Sequence, residues 1–233
     1  MKLEFTGRDF DAVMDIASSV KEIGGRAFLV GGCVRDALRG DPGKDFDVEI
    51  YGVSTAVLEK RLSERYSLSR VGASFGVYKV HGHEIDIALP RTENKVGSGH
   101  RGFIVDTNPD LSYEEATARR DFTINAIMYN PLDGEIIDPW HGVDDLRNGI
   151  LRHTSPHFTE DPLRVLRGMQ FVSRLEFTFA PETIALCSTL SQDELPPERL
   201  AGEWEKLLLK GKRPSLGLSF LRDCGWIRYY PEL

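Results

Sequence analysis

LVGGCVRDALRGDPGKDFDVEI, residues 29–50, decides how this chain is read. A short apolar segment runs into Gly31-Gly32, a short helical pattern carries Arg35 and ends at Gly40, and Asp45 and Asp47 then alternate along what reads as a second strand. Side chains i and i+2 of a strand share a face, so the two carboxylates stand side by side while Phe46 turns into the core. Adjacent like charges repel, and a cation relieves them. Hard oxygen donors with open positions suit Mg2+ held jointly with a phosphate substrate. The plainer alternative is a solvated strand bearing two exposed acids. An EF-hand loop does not fit, because its glycine and terminal glutamate spacing is absent. Gly31-Gly32 matches neither GxGxxG nor GxxxxGK[ST], which sets aside dinucleotide and P-loop readings. A strand, two glycines and a helix start nevertheless present backbone N–H groups to phosphate, and Arg35 can add a charge-assisted contact. Together the glycine turn and the acid pair describe a nucleotidyl-transfer site, where metal ions activate a hydroxyl and stabilise a departing pyrophosphate. Such sites want a third carboxylate from a neighbouring strand. EIDIALPR offers Asp86, with Glu84 on the same strand face.

The bulk composition frames this reading. The chain has 233 residues, 41% of them hydrophobic, enough for one large domain or two small ones with real cores. A formal net charge of -7 excludes a strongly basic nucleic-acid coat, although only the local field at a binding face matters for a nucleic-acid partner. Cys33, Cys187 and Cys224 are odd in number, far apart and outside any CxxC pair, which argues against a disulfide framework or zinc site and for a reducing cytosol. MKLEFTGRDF lacks an apolar leader core, and no stretch approaches the ~18 apolar residues of a membrane helix. The expectation is a soluble cytoplasmic protein with no membrane partner.

Two regions follow. Within 1–150, Phe10, Val13, Ala17 and Val20 recur at helical spacing up to Gly24-Gly25. AFLV and DFDVEIYG read as strands, Ser54 as the cap of a helix over STAVLEKRLSER, and SFGVYKVHG with HEIDIALP as a hairpin turning near Gly82. From 151 to 233 the pattern is helical: 160–175, 181–190, 197–210 and 214–224, with Pro181, Pro196-Pro197 and Pro214 at the starts, where proline is tolerated. The expectation is an α+β catalytic part at 1–150 and an all-α part at 151–233. At ~100° per residue, Arg164, Arg167 and Arg174 fall within an arc of about 80°, apart from Val165, Leu166, Met169 and Val172. Taken alone, that arginine face reads as solvated surface. His81 and His83 read as exposed, His153 and His157 as structural, Trp140, Trp204 and Trp226 as packing, and Cys33 as a small buried residue.

The order of motifs carries a resemblance. LVGGCVRD followed by KDFD resembles the opening signature of the class II tRNA nucleotidyltransferase and bacterial poly(A) polymerase family, within the polymerase-β-like nucleotidyltransferases. ARRDFTINAI (118–127), DPWHGVDDLRNGILRH (138–153), EDPLRVLRGMQF (160–171) and PPERLAGEWEKLL (196–208) are similar to its later motifs, in the same order, over roughly residues 26–233. RTENKVGSGHRGF and LRHTSPHFTEDPLRVLR look most like the bacterial CCA-adding members. The resemblance implies a polymerase-β-like head with a mixed or antiparallel sheet and an all-α neck. It implies template-independent addition of CCA, from CTP and ATP, to the tRNA 3′ end with Mg2+. A-adding, CC-adding or poly(A)-adding activity, or a non-catalytic RNA- or nucleotide-binding relative, are the alternatives. By the resemblance Asp45 and Asp47 bind the metal and Asp86 aligns with a third acidic position. Gly32 and Arg35 contact the nucleotide, Arg120 the triphosphate, and Asp121 and Asn125 lie near the sugar. Asp161 and Arg164 pair with the incoming base, and Arg167 holds phosphate. Gln170 departs from the family, where another arginine is common. Residues 91–118 resemble a flexible loop associated with terminal A addition. LRDCGWIRYYPEL resembles a point where bacterial relatives continue into further helical domains, so the chain reads as a natural short form or as a head-and-neck piece. Residues 196–233 carry seven Lys/Arg against five Asp/Glu, a modest tRNA footprint.

Overall fold

The computed structural model describes residues 3–71, 77–95 and 103–233. In chain order the elements are α1 (Arg8–Glu22), β1 (Arg26–Val30), α2 (Gly32–Leu38), β2 (Phe46–Tyr51), α3 (Thr55–Ser63), β3 (Leu68–Val71), β4 (Val77–Val80), β5 (Ile85–Ala88), β6 (Arg91–Lys95), β7 (Phe103–Thr107) and α4 (Tyr113–Thr117). There follow β8 (Met128–Tyr129), β9 (Ile136–Ile137), α5 (Gly142–Asn148), β10 (Ile150–Leu151), α6 (Leu163–Leu175), β11 (Thr178–Phe179), α7 (Pro181–Ser188), α8 (Pro197–Lys210) and α9 (Pro214–Asp223).

The chain forms two compact units. The first holds Met1–Thr117 and Asn125–Pro139, the second Ala118–Ile124 and Trp140–Leu233. This differs from a single cut at residue 150, and backbone pairing is the reason. Phe122 bridges His153, Thr123 N–H donates to the Arg152 carbonyl, and Thr154 N–H donates to the Asp121 carbonyl. Segment 118–124 is therefore stitched to the helical part, although 125–139 returns to the sheet.

The first unit is α+β. Its seven-stranded sheet runs β3-β4-β5-β2-β1-β8-β9, antiparallel throughout except for the parallel pair β2–β5. Alternation along β2 sets its two faces. Phe46, Val48 and Ile50 are buried on one face, where α1 packs through Val13, Ile16, Ala17 and Val20. The other face carries Asp47, Glu49 and Tyr51. Its far end is closed by Phe28, Tyr51, Tyr113 and Met128, and the Tyr51 hydroxyl donates to the buried Glu49 carboxylate. The β4–β5 hairpin turns at Gly82, which adopts φ 79°. Ser54 sits at the start of α3 but makes no side-chain capping bond. The stems of segment 91–118 are not loop: β6 and β7 pair antiparallel from Arg91↔Thr107 to Lys95↔Phe103. The tip of that segment, with Arg101, lies outside the described residues, as does the stretch Ser74–Gly76 of the expected hairpin.

The second unit is helical apart from the two-residue parallel pair β10–β11 and the Phe122–His153 bridge. α7, α8 and α9 begin at Pro181, Pro197 and Pro214. α6 is its centre and packs on both α8 and α9. Val165, Leu166 and Met169 are fully buried, while Arg164, Arg167 and Arg174 stay partly exposed on another face.

Candidate functional site

An acidic cluster lies in the first unit. Asp45 and Asp47 are exposed on either side of Phe46, which is buried, so both carboxylates stand on one face of the sheet. Parallel pairing places Asp86 of β5 directly beside Asp47. Registered neighbours share a face, so a third carboxylate joins the same surface. Lys79 of β4, registered with Asp86, approaches it at 3.2 Å. Glu84 goes elsewhere: its carbonyl accepts from Phe46 N–H, and it lines a separate cavity of about 430 Å3 with Arg8, Asp9, Lys44 and His83. Among the described residues, no group of three or more His, Cys, Asp or Glu gathers closely enough to hold a metal by itself. An open pair of oxygen donors fits an ion whose remaining positions are filled by phosphate and water, which is how Mg2+ is commonly held.

Beside the acids runs the glycine turn. Gly31, at φ 73° and ψ -136°, connects β1 to α2 in a conformation that excludes most side chains. Gly32 opens α2, and a Cβ there would meet only the Arg35 guanidinium at 3.6 Å. Arg35 is buried. Its Nε and Nη2 donate to both Asp36 oxygens at 2.8 and 2.7 Å, and Nη1 donates to Asn125 Oδ1 at 2.7 Å. Arg35 and Asn125 are thus brought together as one bonded unit. Cys33 is 4% exposed, its thiol donates to the Val30 carbonyl, and burial pushes its pKa up to about 11. That is the opposite of an activated nucleophile.

A basic cluster lies in the second unit. Arg119, Arg120, Asp121, Asp161, Leu163, Arg164, Arg167 and Arg199 line a cavity of about 290 Å3. Each charged wall is held by a partner. Arg164 donates to the carbonyls of His157 at 2.7 Å and Arg119 at 2.6 Å, and burial lowers its pKa. Arg167 donates through Nε and Nη2 to Asp121 Oδ2 at 2.8 and 2.7 Å, and that carboxylate raises its pKa. Asp121 Oδ1 accepts its neighbour Phe122 N–H at 2.8 Å. Arg119 pairs with Glu160 at 2.6 Å. Gln170 is buried and accepts from Arg174 at 3.1 Å.

Two partners escape sequence reasoning. Arg199 of α8 pairs with both oxygens of Asp161, at 2.8 and 3.2 Å. Its signal, an arginine in the first turn of PPERLAGEWEKLL, is ordinary until the fold brings α8 to the start of α6. His83 also has a partner: its Nδ1 lies 2.7 Å from Asp9 Oδ1, which lowers the Asp9 pKa. His153 and His157 have local roles, with Thr183 at 2.8 Å and Glu160 at 2.7 Å. Trp226 is fully buried, its indole N–H donating to the Cys187 carbonyl at 3.0 Å. Trp204 packs edge-on against Tyr230.

A mostly antiparallel sheet with paired acids at the start of one strand, followed by helices, defines the polymerase-β-like nucleotidyltransferase fold. The family described as Poly A polymerase head domain matches residues 27–152, more than half the chain, and the chain belongs to that family. It is 42% identical over 218 residues to the Multifunctional CCA protein of Xanthomonas campestris pv. campestris, covering 89% of this chain and 51% of that protein. Among solved structures it is similar to the Bacillus stearothermophilus CCA-adding enzyme in complex with CTP, at 31% identity and TM-score 0.71, covering 93% of this chain and 52% of that one. It is also similar to the Thermotoga maritima CCA-adding enzyme complexed with tRNA, at 25% identity and TM-score 0.77, covering 96% of this chain and 52% of that one. The chain spans about half the length of the relatives it matches.

Proposed function

We propose that this chain is the nucleotide-handling part of a template-independent tRNA nucleotidyltransferase that adds CCA from CTP and ATP to tRNA 3′ ends. The observation that supports the reading is that Asp161 and Arg164 both line an arginine-rich cavity, in a chain of this family. A carboxylate accepts hydrogen bonds and a guanidinium donates them. Cytosine presents an amino donor beside ring and carbonyl acceptors, and adenine an amino donor beside a ring acceptor. Uracil and guanine place a carbonyl where the amino group would meet the carboxylate. A pocket built to bond the amino group rejects such analogues strongly, because its buried groups are left unpaired.

The remaining roles follow from what each side chain touches. Asp121, engaged with Arg167, aims that guanidinium at phosphate rather than meeting the sugar itself. Arg120, on the same wall, takes a triphosphate oxygen. In the other unit the Gly31-Gly32 turn leaves room for phosphate. Arg35 and Asn125, bonded to each other, act together, Arg35 fixing the side chain that faces the sugar. Asp45 and Asp47, with Asp86 as third acid, would hold Mg2+, which lowers the charge cost of the attacking 3′ oxygen and of the leaving pyrophosphate.

The test is single-nucleotide extension of tRNAs ending at the discriminator base, at C and at CC, with each NTP in a separate reaction. CTP on the first two and ATP on the third is the expected pattern. ATP alone on the CC end indicates an A-adding enzyme, CTP alone a CC-adding one, and repeated A addition on any end a poly(A) polymerase. No transfer to any acceptor overturns the enzymatic reading.

A further inference from the structure

Helix α8 has no assigned role in nucleotide handling, yet one of its faces backs the arginine cavity. Arg199, Glu203 and Leu207 recur at i, i+4 and i+8, which places them on one stripe. Leu207 and Glu203 are buried, and α8 packs on α6. At the head of the stripe, Arg199 Nη2 and Nη1 donate to Asp161 Oδ2 and Oδ1 at 2.8 and 3.2 Å. One turn on, Glu203 receives Lys206 on Oε1 at 2.7 Å, and its charge is among those that raise the Arg167 pKa.

The fork matters because of where Asp161 sits. It precedes α6 in extended backbone, φ -132° and ψ 96°, at the junction with the short 3-10 turn Pro156–Glu160. From its own element the carboxylate accepts Leu163 N–H on Oδ1 at 3.2 Å. A contact to one oxygen does not by itself fix the plane of a carboxylate. A planar guanidinium engaging both oxygens fixes that plane, which an ammonium or amide cannot do. Base discrimination through a carboxylate depends on that orientation, since displacement of a reacting or recognising group by about 1 Å degrades the selected geometry.

We infer that Arg199 is a specificity-positioning residue: by clamping both oxygens of Asp161 it orients the carboxylate that distinguishes an amino-bearing base from a carbonyl-bearing one. The inference rests on the reading that Asp161 and Arg164 select the base. Arg199 itself touches no nucleotide in this scheme.

The experiment compares wild type, Arg199→Gln, Arg199→Lys, Asp161→Asn and Asp161→Asn/Arg199→Gln. Equilibrium binding and single-nucleotide extension of a tRNA lacking CCA are measured with CTP, ATP, UTP and GTP, and thermal melts verify folding. Arg199→Gln is expected to lower the CTP-over-UTP preference by about tenfold, the low end of a charge-assisted contact, while CTP binding falls less. Arg199→Lys keeps the charge without the fork and should fall between the two. The double variant should discriminate no worse than Asp161→Asn, since Arg199 acts through Asp161. Wild-type selectivity in both Arg199 variants, with selectivity lost in Asp161→Asn, overturns the inference and leaves base selection standing. Wild-type selectivity in Asp161→Asn overturns the base-selection reading itself. If Arg199→Gln fails to fold, Arg199→Lys decides by the same measures.

Discussion

Asp47 stands between Val30 of β1 and Asp86 of β5 and is exposed. Asparagine removes the charge at nearly constant volume, so it takes away one carboxylate of the proposed metal pair without opening a cavity. Asp47→Asn is expected to reduce transfer by about 10²–10³-fold, the scale seen when one preorganised electrostatic group is removed. Stability in metal-free buffer should stay within about 0.5 kcal/mol, as for most surface substitutions. Asp45→Asn should behave alike. Parallel urea titrations and tRNA extension assays check both, and near-normal transfer by either variant removes the acid pair from the chemistry. The pair was readable because a D-x-D on a strand needs only two-residue periodicity to be placed. Arg35 was not readable in the same way. Its position one turn into a helix suggests a phosphate contact, but its bond to Asn125 depends on a residue 90 positions away.

Helices were more legible than strands, for a physical reason. Proline at the first helical position marks a start locally, and Pro181, Pro197 and Pro214 each open the helix expected of them. Strands need partners. RTENK and FIVDT hold little alternation of their own, and the glycine-containing stretch between them reads as loop, so the β6–β7 pairing emerges only in the fold. Helix packing was likewise invisible. A Cβ on Gly217 of α9 would lie 2.6 Å from both the Met169 carbonyl and Ser173 Oγ of α6, and Gly217 N–H donates to that same Ser173 Oγ at 3.1 Å. Helix propensity alone favours alanine over glycine by about 1 kcal/mol, whereas overpacking a close contact costs about 1–3 kcal/mol. The contact should win. Gly217→Ala is expected to lower the urea midpoint with an unchanged slope, a net loss of about 1 kcal/mol or more. A raised midpoint would mean that α9 does not need the glycine to reach α6.

At the scale of the whole molecule, the motif order indicated two parts and their chemistry, but not the path of the chain between them. Nothing local in ARRDFTINAI says that Ala118–Ile124 belongs with the helices and Asn125 with the sheet. That follows from backbone bonds of Asp121 and Thr123 to residues about 30 positions further on, and such pairing leaves no periodic trace. The two candidate clusters fall in different units. Asp45, Asp47 and Asp86 belong to the first unit, and Arg119, Arg120, Asp121, Asp161, Arg164, Arg167 and Arg199 to the second. Second-unit partners hold Arg164, Arg167 and Asp161, among them His157, Arg119, Asp121 and Arg199. If those side chains choose the base, the choice does not require the carboxylates of the first unit. Asp45→Asn/Asp47→Asn, measured in EDTA, should therefore transfer nothing yet keep its CTP-to-UTP affinity ratio within about twofold of the wild type in the same buffer, as expected for independent sites. Absolute affinities in EDTA should fall for all four nucleotides, because the triphosphate loses its metal in every case. Equilibrium dialysis with labelled nucleotides measures both quantities. A ratio that collapses in the double variant would place base selection under the control of the acidic strand, and the arginine cavity would then serve phosphate alone.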